Sequence, residues 1–263
     1  MDLALRGKVA LVGGSSRGLG YACARRLAEE GASVVLCART RENVEHAGEE
    51  IRTATGSEAL AVVADLSTPE GSERFVQSAL KRFGHVDILI HNTGGPPPGD
   101  FFAHDESAWQ AAFELLLLSA IRTYRLVLPS MRRRGWGRIV NFTSVTVKEP
   151  WADLVLSNVF RTGLVSLAKT LSSQLAPEGI LINNVCPGFF RTERSQNLLT
   201  RRMEESGRTL EEVTAEALSE VPMGRIGEPE ELANLVAFLC SERASYLTGV
   251  TIQADGGRIK FLF

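Results

Sequence analysis

The sequence predicts an α/β domain, a doubly wound sheet of about seven parallel strands with helices on both faces. Three observations carry this. Short β-branched or apolar runs recur at Val9 to Val12, Val34 to Cys37, Ala61 to Ala64, Ile88 to Ile90, Ile139 to Phe142, Ile180 to Val185 and Val250 to Ile252. Between them lie segments such as YACARRLAEE, RENVEHAGEEIRTA and GSERFVQSALKRF, whose apolar residues return every three or four positions, the period of a one-sided helix. Strand and helix alternate, and parallel neighbours need a crossover long enough to hold a helix, so the helices cover both faces of the sheet.

The first strand runs directly into GGSSRGLG, Gly13 to Gly20, which opens the helix YACARRLAEE. Glycines let a backbone approach a pyrophosphate, while a helix N-terminus supplies amide donors and positive potential. A solvent turn with spare glycines is the bland alternative, and the strand before and helix after weigh against it. The loop makes the domain Rossmann-type and assigns a nicotinamide dinucleotide to it. The second strand ends in VVLCARTRE, with Ala38 where an acidic residue would bond a ribose 2′-hydroxyl. Arg39 follows and Arg17 lies in the glycine loop, and two guanidinium groups suit a 2′-phosphate. The cofactor expected is therefore NADP(H), with NAD(H) as the alternative if both arginines are merely solvated surface groups.

After the fourth strand, GGPPPG (Gly94 to Gly99) reads as a stiffened loop at the C-terminal edge of the sheet, where open α/β folds bind ligands. Long helices are expected at about Ser107 to Arg133 and Leu154 to Leu175. The crowded Leu115 to Leu118 offers a second apolar stripe beyond what one sheet face needs. Arg194 to Met223 is mostly helical and charged, without a diagnostic ligand motif.

Composition agrees with one domain spanning 1–263. Hydrophobic residues make up 44% and charged residues 23%, enough for a sizeable core. No Pro/Gly/Ser-rich linker of boundary length and no internal repeat divides the chain. Lys plus Arg (29) nearly balance Asp plus Glu (31), so no nucleic-acid partner is expected. The basic cluster Arg132 to Arg134 reads as a helix C-terminus, where cations suit the dipole. Cys23, Cys37, Cys186 and Cys240 form no CxxC pair and have no His at ligand spacing, so neither a metal site nor a disulfide framework is expected. With a rapidly structured N-terminus and no run of 18 apolar residues, a soluble, cytoplasmic protein without a membrane partner is expected.

The spacing GxxxGLG resembles the short-chain dehydrogenase/reductase family, and further motifs agree along nearly the whole chain. Asp65 matches the family's Asp after the third strand, HNTG (His91 to Gly94) its NNAG, Asn141 to Ser144 its NxxS, and Pro187 to Thr192 its PGxxxT. The stretches PMGRIGEPEELA and SYLTGVTIQADGG resemble its C-terminal pattern, and the C-terminal half is most similar to 3-oxoacyl-[acyl-carrier-protein] reductase-like members. The resemblance implies that Gly14, Ser16, Arg17, Gly18, Leu19 and Gly20 cradle the cofactor. Asp65 and Leu66 would flank the adenine, and Asn92 and Gly94 would back its ribose. Pro187, Gly188, Phe190 and Thr192 would border the nicotinamide, the last two holding its carboxamide. It also implies a substrate lid at about 194–223, and a homotetramer or dimer assembled through the long helices.

The family's catalytic set is Ser, Tyr, a Lys four residues later and an Asn, and only the Ser stands here, as Ser144. The Tyr position, thirteen residues on, is Ser157; the Lys position is Arg161; the Asn position is Leu116. No shift of register restores the pattern, because Thr162 and Gly163 follow Arg161 and no Tyr lies between Tyr124 and Tyr246. Ser157 and Arg161 share one helix face, so Arg161 is expected to bond the nicotinamide ribose. A serine hydroxyl is far harder to ionise than a tyrosine with a pKa around 10, which makes Ser157 a poor direct acid. The proton would come through water held by Ser144 and Ser157, or from Lys148, which reads equally as a surface lysine. Trp151 and Pro96 to Pro98 would wall an apolar slot or simply pack. The expected function is an NADP(H)-dependent oxidoreductase acting on a small-molecule carbonyl or alcohol. A nucleotide-binding sensor or partner subunit without hydride chemistry is the alternative, and a non-redox enzyme holding the nucleotide structurally is a third.

Overall fold

A computed structural model describes residues 2–262. Its centre is a seven-stranded, all-parallel sheet in the order β3-β2-β1-β4-β5-β6-β7. The strands are β1 (Val9–Val12), β2 (Ser33–Ala38), β3 (Ala59–Val63), β4 (Ile88–His91), β5 (Gly137–Phe142), β6 (Ile180–Pro187) and β7 (Thr251–Ala254). The helices between them are α1 (Gly18–Glu29), α2 (Arg41–Thr55), α3 (Pro69–Phe83), α4 (Glu106–Phe113), α5 (Ser119–Arg134), α6 (Val155–Leu175), α7 (Glu193–Ser206), α8 (Leu210–Ser219) and α9 (Pro229–Leu239).

Strand periodicity sorts the core into two layers. Ala10 and Val12 pack with Leu27, Val44, Ile51 and Val236 on the face covered by α1, α2 and α9. Val9 and Leu11 point the other way, onto Phe75, Val127 and Leu164 of α3, α5 and α6. Both faces are covered, which is why the strands read as continuous apolar runs.

Winding reverses between β1 and β4: the chain builds outward through β2 and β3, then returns to pair β4 on the other side of β1. The C-terminal ends of these two strands form the switch point, the place where doubly wound sheets bind ligands. α3 shows how local sequence ends an element: Thr68 accepts from Gly71 N at 3.0 Å, Pro69 occupies the first turn, and Gly84 closes the helix at φ 78°.

Several strands run one or two residues beyond expectation, as β5 from Gly137 and β6 to Pro187 do, and three differences have a clear cause. β3 starts at Ala59 rather than Ala61, because pairing runs the length of β2 from Val34↔Ala59 to Ala38↔Val63. β7 begins at Thr251, since Gly249 at φ 69° turns the chain before the strand and β6 sets the register Asn184↔Thr251. The helix expected over Ser107 to Arg133 is broken into α4 and α5 by a π-helical segment, Glu114–Leu118. Ser119 Oγ donates back to Leu115 O at 2.6 Å in that wider turn. Such π segments concentrate at functional sites. The Arg194 to Met223 stretch is helical, as its composition suggests, in α7 and α8.

Candidate dinucleotide and catalytic site

The loop after β1 is fastened to both neighbouring strands. Gly13 N donates to Ile90 O at 3.0 Å and Ser15 N to Cys37 O at 3.0 Å. Ser15 Oγ donates to Val12 O at 2.7 Å and accepts from Cys37 N at 3.0 Å. Asn92 Nδ2 donates to the carbonyls of Gly13 and Gly14 at 3.2 and 3.3 Å, joining the loop after β4 to the glycine loop. A Cβ at Gly13 would stand 2.5 Å from Asn92 O, and one at Gly20 would stand 2.3 Å from Gly14 O. These positions exclude side chains. Gly14 and Gly18 take φ 55° and 60°, conformations that favour glycine. At the start of α1 no side chain caps the helix and no acid occupies its first turn, so its N-terminal amides remain available to an anion.

The other residues expected at the nucleotide lie around the glycine loop and across from it. Asp65 Oδ1 accepts from Ser67 N and Oγ at 2.9 and 2.7 Å, which fixes its carboxylate beside the loop. Leu66 is buried, with its Cδ1 3.0 Å from where a Gly13 Cβ would stand. Arg39 is exposed at the end of β2 and pairs with no carboxylate among the described residues. Arg17, by contrast, pairs with Glu193 at the start of α7. On the opposite wall, Gly188 N bonds Ala254 O at 2.9 Å, Phe190 is buried against Gly227, and Thr192 caps α7. Thr192 Cγ2 lies 3.5 Å from where a Gly18 Cβ would stand, so the β1 and β6 loops meet across the cleft.

For the expected catalytic set, the loop after β5 carries Ser144 and α6 carries Ser157 and Arg161. Ser144 is half-buried, and its Oγ accepts from Thr146 N at 3.2 Å, leaving its own proton free. Ser157 is buried and makes no side-chain hydrogen bond among the described residues. One turn on, Arg161 donates through Nη1 to Phe142 O and through Nη2 to Gly94 O, both at 2.6 Å. It therefore braces the loops after β4 and β5 from α6. Burial, aided by the charge of Arg194, draws its guanidinium down to about 10, so it stays charged at neutral pH. Leu116 sits in the π segment with 1% exposure, an apolar side chain at the position where the resemblance expects the Asn.

Next to this set, burial and then the charge of Arg161 hold His91 at about 3, so it is neutral. Its Nε2 lies 3.0 Å from Ser119 Oγ, whose own proton goes to Leu115 O. His91 thereby links β4 to the π segment. Lys148 and Trp151 are half-buried. The Trp151 ring lies under the Arg258 guanidinium at 4.2 Å and lines a pocket of about 600 Å³ with residues of α7 and α8. Gly99 N bonds Asp153 O at 2.7 Å, zipping the proline loop to the entry of α6.

Arg194 was not among the residues singled out for the site. It reaches back from α7 to donate to Pro96 O at 3.3 Å, and its Cζ lies 2.3 Å from where a Gly95 Cβ would stand. The only signal in the chain is its place two residues after Thr192.

Comparison with known proteins agrees with this geometry. The family described as enoyl-(acyl carrier protein) reductase matches residues 14–258. The chain is 34% identical over 257 residues to a 3-oxoacyl-[acyl-carrier-protein] reductase of Aquifex aeolicus, covering 98% of this chain and 99% of that one. It is 36% identical over 255 residues to human dehydrogenase/reductase SDR family member 4, covering 96% and 88%. Among solved structures, L-sorbose reductase from Gluconobacter frateurii, complexed with NADPH and L-sorbose, superimposes with a TM-score of 0.95 at 35% identity, covering all of both chains. YwfH, an NADPH-dependent reductase involved in bacilysin biosynthesis, does so at 0.93 and 31%, covering 97% and 100%. With fold, cleft and relatives in agreement, the chain belongs to the short-chain dehydrogenase/reductase family.

Proposed function

We propose that this protein is an NADP(H)-dependent oxidoreductase that interconverts a small-molecule carbonyl and its alcohol through an altered proton path. The observation that carries the reading is the cradle of Gly13, Gly14 and Gly20, where any Cβ would collide, beside an exposed Arg39 at the end of β2 that meets no carboxylate among the described residues. Relatives named as reductases, two of them NADPH-dependent or complexed with NADPH, support it. When bound, the nicotinamide supplies or accepts the hydride. Reduction consumes one proton with it, and oxidation releases one.

Within that reaction Ser144 donates its free proton to the substrate oxygen as a hydrogen bond. Ser157, with no protein partner, orients a water toward the same oxygen and passes on the proton. Arg161 uses two of its five N–H donors on the loops, which leaves others for ribose hydroxyls and for a substrate oxygen beside them. The domain acts as one unit over 1–263, with α7 and α8 as a substrate lid at about 194–223, in the cytoplasm. The apolar Leu116 and the weakly acidic Ser157 also favour a second reading, a nucleotide-binding sensor or partner subunit without turnover.

Arg39→Ala is expected to weaken NADPH binding about tenfold or more while leaving NADH binding unchanged, since a charge-assisted bond contributes about 1.5–3 kcal/mol. Calorimetric titration with both cofactors measures this. Equal losses for the two would show that Arg39 does not read the 2′-phosphate.

The chain is further proposed to form a dimer or tetramer. Phe101 and Phe102 are 62% and 92% exposed, and Phe101 stacks on Trp109, which stacks on Phe160 between α4 and α6. Exposed aromatics in one patch are typical of an interface. Sedimentation velocity at micromolar concentration should show an oligomer; a monomer alone would refute it.

A further inference from the structure

The segment from Arg191 to Arg208, around α7, carries several arginines, and most find a carboxylate. Arg191 pairs with Glu228, Arg201 with Glu205, Arg202 with Asp153 and Arg208 with Glu216. Arg194 turns the other way. Its head lies against Gly95 and its one hydrogen bond is to the carbonyl of Pro96. Arg161 meets the same loop one residue earlier, at Gly94 O, and its other bond is also to a carbonyl. Neither guanidinium has a carboxylate partner among the described residues.

Arg194 can be reached by solvent in the open cleft, yet enough protein surrounds it for desolvation to lower its pKa. Its charge in turn disfavours that of Arg161. Two cations held close together without a counter-ion cost stability, and an anionic ligand between them removes that cost.

We infer that Arg161 and Arg194 form a carboxylate-binding pair at the reaction end of the cleft, so that the substrate carries an anionic group close to its carbonyl. The inference rests on the oxidoreductase reading for the identity of the ligand, and it deepens that reading by naming a substrate class, the oxo acids. Position separates Arg161 from the nucleotide phosphates, whereas Arg194 follows Thr192 and Glu193, which meet the glycine loop at Gly18 and Arg17, so NADPH affinity must be read beside substrate affinity. Those phosphates have the glycine loop and the open N-terminus of α1, on the far side of Asn92. Arg161 instead stands one turn beyond Ser157 and bonds Phe142 O, two residues before Ser144. Gly95 is what admits the second guanidinium, since any side chain there would displace it.

The test compares acetoacetate with its ethyl ester as substrates for the NADPH-loaded protein, in the wild type and in Arg194→Gln. The expected result is a KM for acetoacetate raised about tenfold or more, with the ester unaffected and NADPH affinity unchanged. Equal effects on acid and ester would overturn the inference. A matching loss of NADPH affinity would overturn it too, by assigning the pair to the cofactor phosphates. If neither compound is reduced, the anion site is read independently of turnover by titrating malonate into the NADP⁺-loaded protein. Malonate binding that weakens about tenfold in Arg194→Gln supports the pair; no binding, or binding indifferent to the substitution, refutes it.

Discussion

Ser144→Ala is expected to lower the turnover of any carbonyl substrate by about 10² to 10³, the loss typical of one hydrogen-bond donor aimed at a developing oxyanion. The donor is available because Ser144 Oγ accepts from Thr146 N and spends its own proton on no protein group. The turn that holds it is also tied by the main chain, with Val147 N bonded to Ser144 O at 3.1 Å, so the alanine variant keeps its fold. Steady-state kinetics following nicotinamide absorbance should show the loss in kcat, with NADPH affinity unchanged by calorimetry. A variant that turns over as the wild type does would remove Ser144 from the chemistry.

The second large effect is expected from Ser157→Tyr combined with Arg161→Lys. A positioned acid/base group contributes about 10² to 10⁴ in rate, and a tyrosine beside a lysine supplies one where Ser157 does not. Both residues already lie on the buried face of α6, one turn apart, so the new pair inherits their direction. Reduction of ethyl acetoacetate should therefore rise by about 10² or more in the double variant. Acids that use the Arg161–Arg194 pair should gain less, because the lysine lacks the guanidinium fork that reads a carboxylate. A gain against a wild type that oxidises no NADPH with any carbonyl would leave the nucleotide-binding protein as the correct reading. No gain with any substrate would show that the acid is not what limits this site.

Much of this architecture was legible along the chain because it depends on local rules. The glycine loop could be placed since it follows a strand and opens a helix, and the structure puts Gly13 to Gly20 there. All seven strands were found, although the edges of most moved by one to two residues, those of β3 and β7 among them. Those edges are set by pairing with β2 and β6, which a single segment cannot reveal. The π segment was hidden for a different reason. A run of four leucines has the periodicity of any buried helix, and only packing against α6 and the backbone bond from Ser119 N to Glu114 O, five residues back, distinguish the wider turn.

By itself, the amino-acid order determined the alternation of strands and helices, the glycine cradle, the spacing of Ser157 and Arg161 along one helix and the basic end of β2. Each is a matter of residue type at a short spacing, where backbone sterics and side-chain periodicity act directly. What the tertiary structure decided is how the arginines divide their work. Arg17 meets Glu193 across 176 residues, Arg161 meets Gly94 across 67 and Arg194 meets Pro96 across 98, while Arg39 is left without a carboxylate. A guanidinium is charged wherever it stands, so its role follows from its partner, and partners this distant in the chain are set only when the sheet winds and the loops at its C-terminal edge come together.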